Sequence, residues 1–285
     1  MNTEKEIEQL VTEAVQGSKD ALEEIVRRIQ KPVYSLSLRM LFNPEDARDI
    51  AQEILITVIT NLKGYRFEGP FRAWVLRIAV NKLKAARKTY AEKKMASIED
   101  LDGILDRYEA RGWLSKPQEA PEPYLEAETR SVCTHALLLA LDRPHRVAFI
   151  LGVVMEVSSQ EGALILNITS STYRKRLSRA RTRIKDFLVN NCCIFDNSNR
   201  CRCSSILPAY LQSGWIDPEK PIFVSKKATV ESTDRLGSYL KEIDELKQLS
   251  VIYNSVQPSE FDFVDALKNI YESNQYRIIS DSQIN

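Results

Sequence analysis

Apolar residues recur every three or four positions over most of the chain. Leu22, Ile25, Val26 and Ile29 line one face of a predicted helix, and Val33, Leu36 and Met40 continue it. The segment NPEDA, Asn43 to Ala47, stops that helix and starts another, with proline near the new start and acids in its first turn. Ile50, Ile54, Leu55, Val58 and Leu62 carry this next helix to Gly64. The loop GYRFEGPF, Gly64 to Phe71, breaks the pattern with glycines and a proline. A further helix is predicted from Phe71 to about Lys94.

From Ser97 to Arg130 the pattern fades and acids dominate: Glu99, Asp100, Asp102, Asp106, Glu109, Glu119, Glu122, Glu126 and Glu128. With the prolines of KPQEAPEP, this stretch reads as an acidic, semi-extended linker. Helical spacing resumes near Ser131 and runs to about Val189. Leu236, Leu240, Ile243, Leu246 and Leu249 mark a later amphipathic helix, and SEFDFVDALKNIY, Ser259 to Tyr271, marks another. No section alternates as a strand does, so the predicted fold class is all-α.

The composition changes this picture in two places. Among the 285 residues, 44% are hydrophobic and 28% charged, with a formal net charge of +1. No apolar run approaches the roughly 20 residues needed to span a bilayer. The acidic, amphipathic N-terminus is unlike a signal peptide. The expectation is a cytoplasmic protein with no membrane partner. Near-neutral total charge means that any nucleic-acid contact must come from local segregation of charge. Of five cysteines, Cys133 stands alone in the sequence, whereas Cys192, Cys193, Cys201 and Cys203 cluster. In a reducing compartment such a cluster suggests metal or redox chemistry rather than a disulfide framework.

Charge is most segregated in NITSSTYRKRLSRARTRIK, Asn167 to Lys185. The preceding SSQEGALIL has Ser158 and Glu161 at capping-box spacing, and Asn167 suits a left-handed turn. Thr169 or Ser170 can cap the helix that follows. A short helix, a tight turn and a longer basic helix make a helix-turn-helix. Tyr173, Leu177, Ala180, Ile184 and Leu188 form the face to be buried. Ser171, Thr172, Lys175 and Arg179 fall away from it, flanked by Arg174 and Arg176. Hydroxyls near the helix start and long cations beyond suit a major groove. The plain alternative is a solvated amphipathic helix. Gly162, inside the short helix, costs about 1 kcal/mol of propensity.

The order of segments carries a resemblance. VYSLSLRMLFNPEDARDIAQEILITVITNLKGYRFEGPFRAWVLRIAVNKLKAARK resembles the polymerase-binding, promoter-melting region of the extracytoplasmic-function (ECF, group IV) RNA polymerase sigma factors. DRPHRVAFILGVVMEVSSQEGALILNITSSTYRKRLSRARTRI resembles their second conserved domain. The likeness covers about residues 5 to 190. It implies two helical sigma domains, at 1–95 and 131–190, joined by the acidic linker at 96–130. It further implies a sigma factor that binds core RNA polymerase and promoter DNA and is not an enzyme. Asp49, Gln52 and Glu53 share one helix face, which in the family docks on the clamp helices of the polymerase. Arg77, Asn81, Lys84 and Lys88, with Arg72 nearby, form the stripe that by resemblance holds the minus-10 element. The loop Tyr65 to Phe71 would receive a flipped base, and Tyr65 or Phe67 would supply its aromatic wall or belong to the core. Glu68 and Pro70 depart from the commoner loop pattern. The basic helix would read the minus-35 element. The linker would thread toward the polymerase active site or act as a solvated tether.

Beyond these domains lie a cysteine-rich segment, 191–225, and a helical extension, 226–285. NNCCIFDNSNRCRCSSILPAYLQSGWIDPEKPIF resembles a cysteine-bearing extension found in a subset of the family, with Gly214 to Pro218 matching its turn. Cys192, Cys193, Cys201 and Cys203 offer soft thiolate ligands for zinc or copper(I). Thiol redox sensing and inert thiols are the alternatives. His135 and His145 read as packing or surface residues. The extension is expected to fold back on the sigma domains or bind a regulator, and a separate anti-sigma protein is a possible partner. Two rival functions stay open: a helix-turn-helix regulator acting without polymerase, and a sigma-like sequestering protein. No nucleophile–base pair, phosphate loop or His-rich site supports an enzyme.

Overall fold

In the computed structural model, residues 2–114, 122–224, 226, 233–242, 245–255 and 262–264 are described. Their regular elements are helical, and the one β-type pairing among them is an isolated bridge between Cys192 and Cys201. The chain divides into two compact units. One comprises Met1–Lys88, Gln160–Ser170 and Glu260–Asn285; the other comprises Thr89–Ser159 and Ser171–Ser259.

The first unit is built on four helices, α1 (Asn2–Val15), α2 (Lys19–Leu41), α3 (Pro44–Thr60) and α4 (Phe71–Ala85). The predicted apolar stripes close on one another: Ile25, Val26 and Leu36 of α2, Ile54, Leu55 and Val58 of α3, and Ala79 and Val80 of α4 are all fully buried. Each large aliphatic side chain so buried contributes about 1.5–3 kcal/mol. The break between α2 and α3 is chemical. Phe42 turns left-handed (φ 54°), and the Asn43 side chain accepts hydrogen bonds from the amides of Glu45 and Asp46 at 2.9 and 3.0 Å. Pro70 offers α4 no side-chain cap, and Glu4 of α1 fills that role by accepting from the Phe71 amide at 2.7 Å. The helix α4 is shorter than expected. Ala86 leaves helical geometry (ψ 144°), and Thr89 with Glu92 forms a capping box that starts a new helix, α5 (Tyr90–Lys94).

The second unit begins with α5 and contains the acidic stretch. This stretch is not semi-extended where it is described: Leu101–Ala110 is a helix, α6. Its acids fold because they meet cations of the same unit. Glu92 takes Arg143 and Arg146 at 2.7 Å each, Glu99 takes Arg183, and Asp106 and Glu109 share Arg200. The next helix, α7 (Pro123–Leu139), starts upstream of Ser131, with proline in its first turn followed by Glu126. Glu128 is therefore a buried residue of α7 rather than a solvated linker acid. Its carboxylate accepts amide hydrogen bonds from Ile222, Phe223 and Val224, tying the cysteine-rich segment to α7.

After α8 (Arg143–Phe149) comes a π-helical turn, Ile150–Val154, then α9 (Ser159–Leu166) of the first unit and α10 (Ser170–Asn191). A Cβ at Gly152 would lie 2.5 Å from Leu177 and 2.9 Å from Tyr173, so any larger residue would push those buried side chains of α10 aside. Arg146 donates to the carbonyls of Leu138, Leu139 and Leu141, capping the end of α7. The extension supplies α11 (Cys203–Gln212), α12 (Thr233–Glu242) and α13 (Glu245–Asn254). Leu236, Leu240 and Ile252 bury against Cys193, Ile194 and Cys203. Leu249 is buried as expected, whereas Ile243 and the Leu246 side chain lie outside the described residues. Of the helix predicted over 259–271, only 262–264 are described.

Candidate polymerase and promoter interfaces

On α3 the buried stripe turns Asp49 and Glu53 outward, and Gln52 is half-buried beside them. Glu53 lies 3.3 Å from Lys82 of α4, an exposed pair worth about 0–1 kcal/mol. Asp49 has no ion-pair partner among the described residues. The result is an acidic face on a rigid helix, available to a cationic or amide-rich surface.

On α4, Arg72, Arg77, Asn81 and Lys84 are exposed, while Val75 is buried and Trp74 and Ile78 are half-buried. Lys88 is exposed too, but it follows the helix end and leaves the helical stripe, because the Thr89 cap redirects the chain. In the loop before α4 the two aromatics touch, with ring centroids 4.7 Å apart, but differ in burial. Tyr65 is core: its hydroxyl donates to Gly69 O at 2.6 Å, and its ring meets Phe71 and Trp74. Burial, reinforced by Glu4 and Glu8, pushes its phenol up to about 12. Phe67 is 48% exposed and left-handed (φ 57°), a conformation a bulky residue adopts at a cost of about 1–2 kcal/mol. Phe67 is thus the exposed aromatic of this loop, held in a strained backbone conformation.

The helix-turn-helix stretch follows its local chemistry. Asn167 is left-handed (φ 53°) between α9 and α10, and α10 starts at Ser170, leaving Thr169 at the cap position. Tyr173, Ala180, Ile184 and Leu188 are almost fully buried, and Leu177 is buried. Ser171, Arg174, Lys175 and Arg179 are exposed, with Thr172 and Arg176 half-exposed. Arg174, Lys175, Arg176 and Arg179 form no ion pair among the described residues. Further along, Arg183 is held by both Glu99 oxygens at 2.7 and 2.8 Å. The positive face is thus concentrated in the first half of α10.

The thiols are closer company than their numbering suggests. Cys192 and Cys201 are bridge partners, and the Cys193 amide donates to Cys201 O at 3.1 Å. Cys133 of α7 joins them, and with Cys201 it lines a cavity of about 270 Å³ walled by Tyr108, Tyr210 and Trp215. Its spacing gave no sign of this, since only tertiary packing brings α7 alongside. Burial pushes the Cys133 thiol up to about 11 and the Cys192 thiol up to about 12, and neighbouring thiols add to both. Burial raises Cys201 and Cys203 well above the ordinary thiol range, and neighbouring thiols add to both. Among the described residues, no three or more His, Cys, Asp or Glu side chains are arranged to hold a metal ion. His135 is packing: Nδ1 is 2.7 Å from Ser131 O, and the ring stacks on Phe223 at 4.0 Å. His145 contacts Asp142 at the start of α8.

Two family models match in the order these helices occur: Sigma-70 region 2 over residues 25–91 and Sigma-70, region 4 over residues 131–184. The ECF RNA polymerase sigma factor SigD of Mycobacterium tuberculosis is 30% identical over 189 residues, covering 64% of this chain and 84% of the relative. The ECF RNA polymerase sigma factor SigW of Bacillus subtilis is 29% identical over 184 residues, covering 63% and 95%. A solved structure of CnrH in complex with the cytosolic domain of CnrY aligns at 19% identity and a TM-score of 0.42, covering 63% of this chain and 94% of that one. A helical protein with these two regions is a transcription initiation factor. The chain belongs to the ECF sigma factors, which bind core RNA polymerase and direct promoter-specific initiation.

Proposed function

We propose that α3 is the polymerase-docking element, with Asp49, Gln52 and Glu53 as its contact residues. In the same scheme α4 and the Phe67 loop hold and open the minus-10 element, and the first half of α10 reads the minus-35 element. Arg72, Arg77, Asn81, Lys84 and Lys88 contact the former; Ser171, Thr172, Arg174, Lys175, Arg176 and Arg179 contact the latter. The observation that carries this reading is that the acids of α3 and the cations of α10 lie exposed on opposite-signed faces, within regions matched in family order. Opening DNA costs a few kcal/mol per flipped base, which stacking on an exposed aromatic offsets. Run-off transcription with bacterial core polymerase tests it. Promoter-dependent products should require the protein, and their absence on every genomic template would refute the reading.

The protein acts in the cytoplasm, as a non-enzymatic factor, in this proposal; among the described residues no helix is long and apolar enough to cross a membrane. Its extension regulates the sigma domains, and a separate anti-sigma protein is a further expected partner. Glu128 gripping three amides of 222–224 supports a mechanical link from the extension to α7. Zinc or copper(I) binding by Cys192, Cys193, Cys201 and Cys203 is a separate proposal. Protein purified anaerobically with no bound metal, and indifferent to either ion, would remove it.

A further inference from the structure

Two residues near the end of the chain pack into the first unit. Phe263 and Val264 are 1% and 2% exposed, as buried as the helical core. Asp262 is exposed, and its carboxylate accepts from the Val264 amide at 2.9 Å, fixing the local turn. The Phe263 amide donates to Gln30 Oε1 of α2 at 2.8 Å. Its ring lies 6.1 Å from that of Tyr34, one turn further along α2. The Arg48 guanidinium of α3 lies beside the Tyr34 hydroxyl. Arg48 precedes Asp49 directly and sits one helical turn before Gln52, on the same side of α3. An aromatic anchor from the C-terminal extension therefore reaches the candidate polymerase face through two side chains.

We propose that Gln30, Tyr34 and Arg48 form a docking surface for the chain's own C-terminal segment, anchored by Phe263, and that its occupancy opposes polymerase binding by α3. The partner is set by what already sits there: a single aromatic with one backbone amide, matched by one ring and one side-chain carbonyl. Release of the anchor frees Tyr34 and lets Arg48 and Gln52 adjust together to an incoming surface. The competition rests on α3 being the polymerase face; the docking itself does not.

The test uses full-length chains. Phe263→Asp should vacate the surface without altering a residue of α1–α4, and Gln30→Ala removes the hydrogen bond without touching the tail. Circular dichroism reports folding for both. A fluorescent peptide of residues 256–275 should bind Phe263→Asp but not wild type, and an added Tyr34→Ala should abolish that binding. Core polymerase should bind Phe263→Asp on the order of tenfold tighter than wild type, roughly the worth of one buried aromatic. Gln30→Ala should show a smaller gain, and the peptide should reverse the gain of Phe263→Asp. Failure of the folded Phe263→Asp chain to bind the peptide overturns the docking. Peptide binding with polymerase affinity within twofold of wild type overturns the competition. Peptide binding with no polymerase binding by any chain overturns the assignment of α3, and the competition with it.

Discussion

Two acidic stretches, α3 and residues 89–110, carry similar carboxylates and use them in opposite ways. Those of α3 point to solvent, and among the described residues only Glu53 meets a cation, Lys82, on the surface. In 89–110, Glu92, Glu99, Asp106 and Glu109 are spent inside their own unit on Arg143, Arg146, Arg183 and Arg200. Charge alone therefore does not mark an interface. An acid within reach of its own arginines is structural, and one left facing water is available to a partner. The contrast also changes the reading of the linker: Glu99 holds Arg183 in the second half of α10 instead of lying in a solvated tether.

The largest way to break this comparison is Glu92→Ala. Glu92 and Arg146 are 2% and 3% exposed at the side chain, so the change strands a buried guanidinium. The second unit should lose about 3–5 kcal/mol, seen in denaturant unfolding followed by Trp113 and Trp215 fluorescence. Unchanged unfolding would show that the pair is dispensable. The triple variant Asp49→Ala, Gln52→Ala, Glu53→Ala should do the reverse. Its stability should stay within about 0.5 kcal/mol of wild type, while core polymerase affinity drops by about 2–3 kcal/mol, roughly 30–150-fold.

Acidity separates two carboxylates within the second unit. Burial alone would raise Glu92, but hydrogen bonds and charge from Arg143 and Arg146 outweigh it and hold the group below its ordinary 4.5. Its stabilisation is complete above that ordinary value and is lost as pH falls through the lower folded pKa. Glu128 is raised by burial, against the three amides that favour its charge. Its folded form takes up a proton first, so its contribution grows as pH falls through the raised pKa toward the ordinary range. Glu92→Gln should flatten the acid limb of the stability curve below about pH 4.5, and Glu128→Gln should flatten the limb above it. The smallest effect belongs to Glu99→Ala. Stability should move by less than about 1 kcal/mol, since Glu99 is 62% exposed in its pair. The freed Arg183 should steepen the salt dependence of promoter binding by about one unit of slope, read by fluorescence anisotropy.

What was legible in the sequence was local. The Asn43 cap, the left-handed Asn167 and the buried stripe from Tyr173 to Leu188 depend on residues within a turn or two, and periodicity reports them directly. The exposed candidates on α3 and α10 follow from the same stripes by subtraction. What stayed hidden was decided by distant partners. Glu92 meets cations more than fifty positions away, Cys133 joins thiols from another element, and Phe263 seats on α2 across most of the chain. Polar periodicity shows that an acid can face water, but not whether an arginine will be waiting there. The early end of α4 was missed for a smaller reason: Thr89 and Glu92 have capping-box spacing, but a continuous basic run obscured it.

The most direct test of the account is promoter-dependent run-off transcription by core polymerase, with wild-type protein and the α3 triple variant compared at equal concentration. Wild type should give defined products, and the variant should give few at matched concentration yet recover them when raised about a hundredfold. Equal activity of the two proteins at every concentration would contradict the assignment of α3 as the polymerase-docking face.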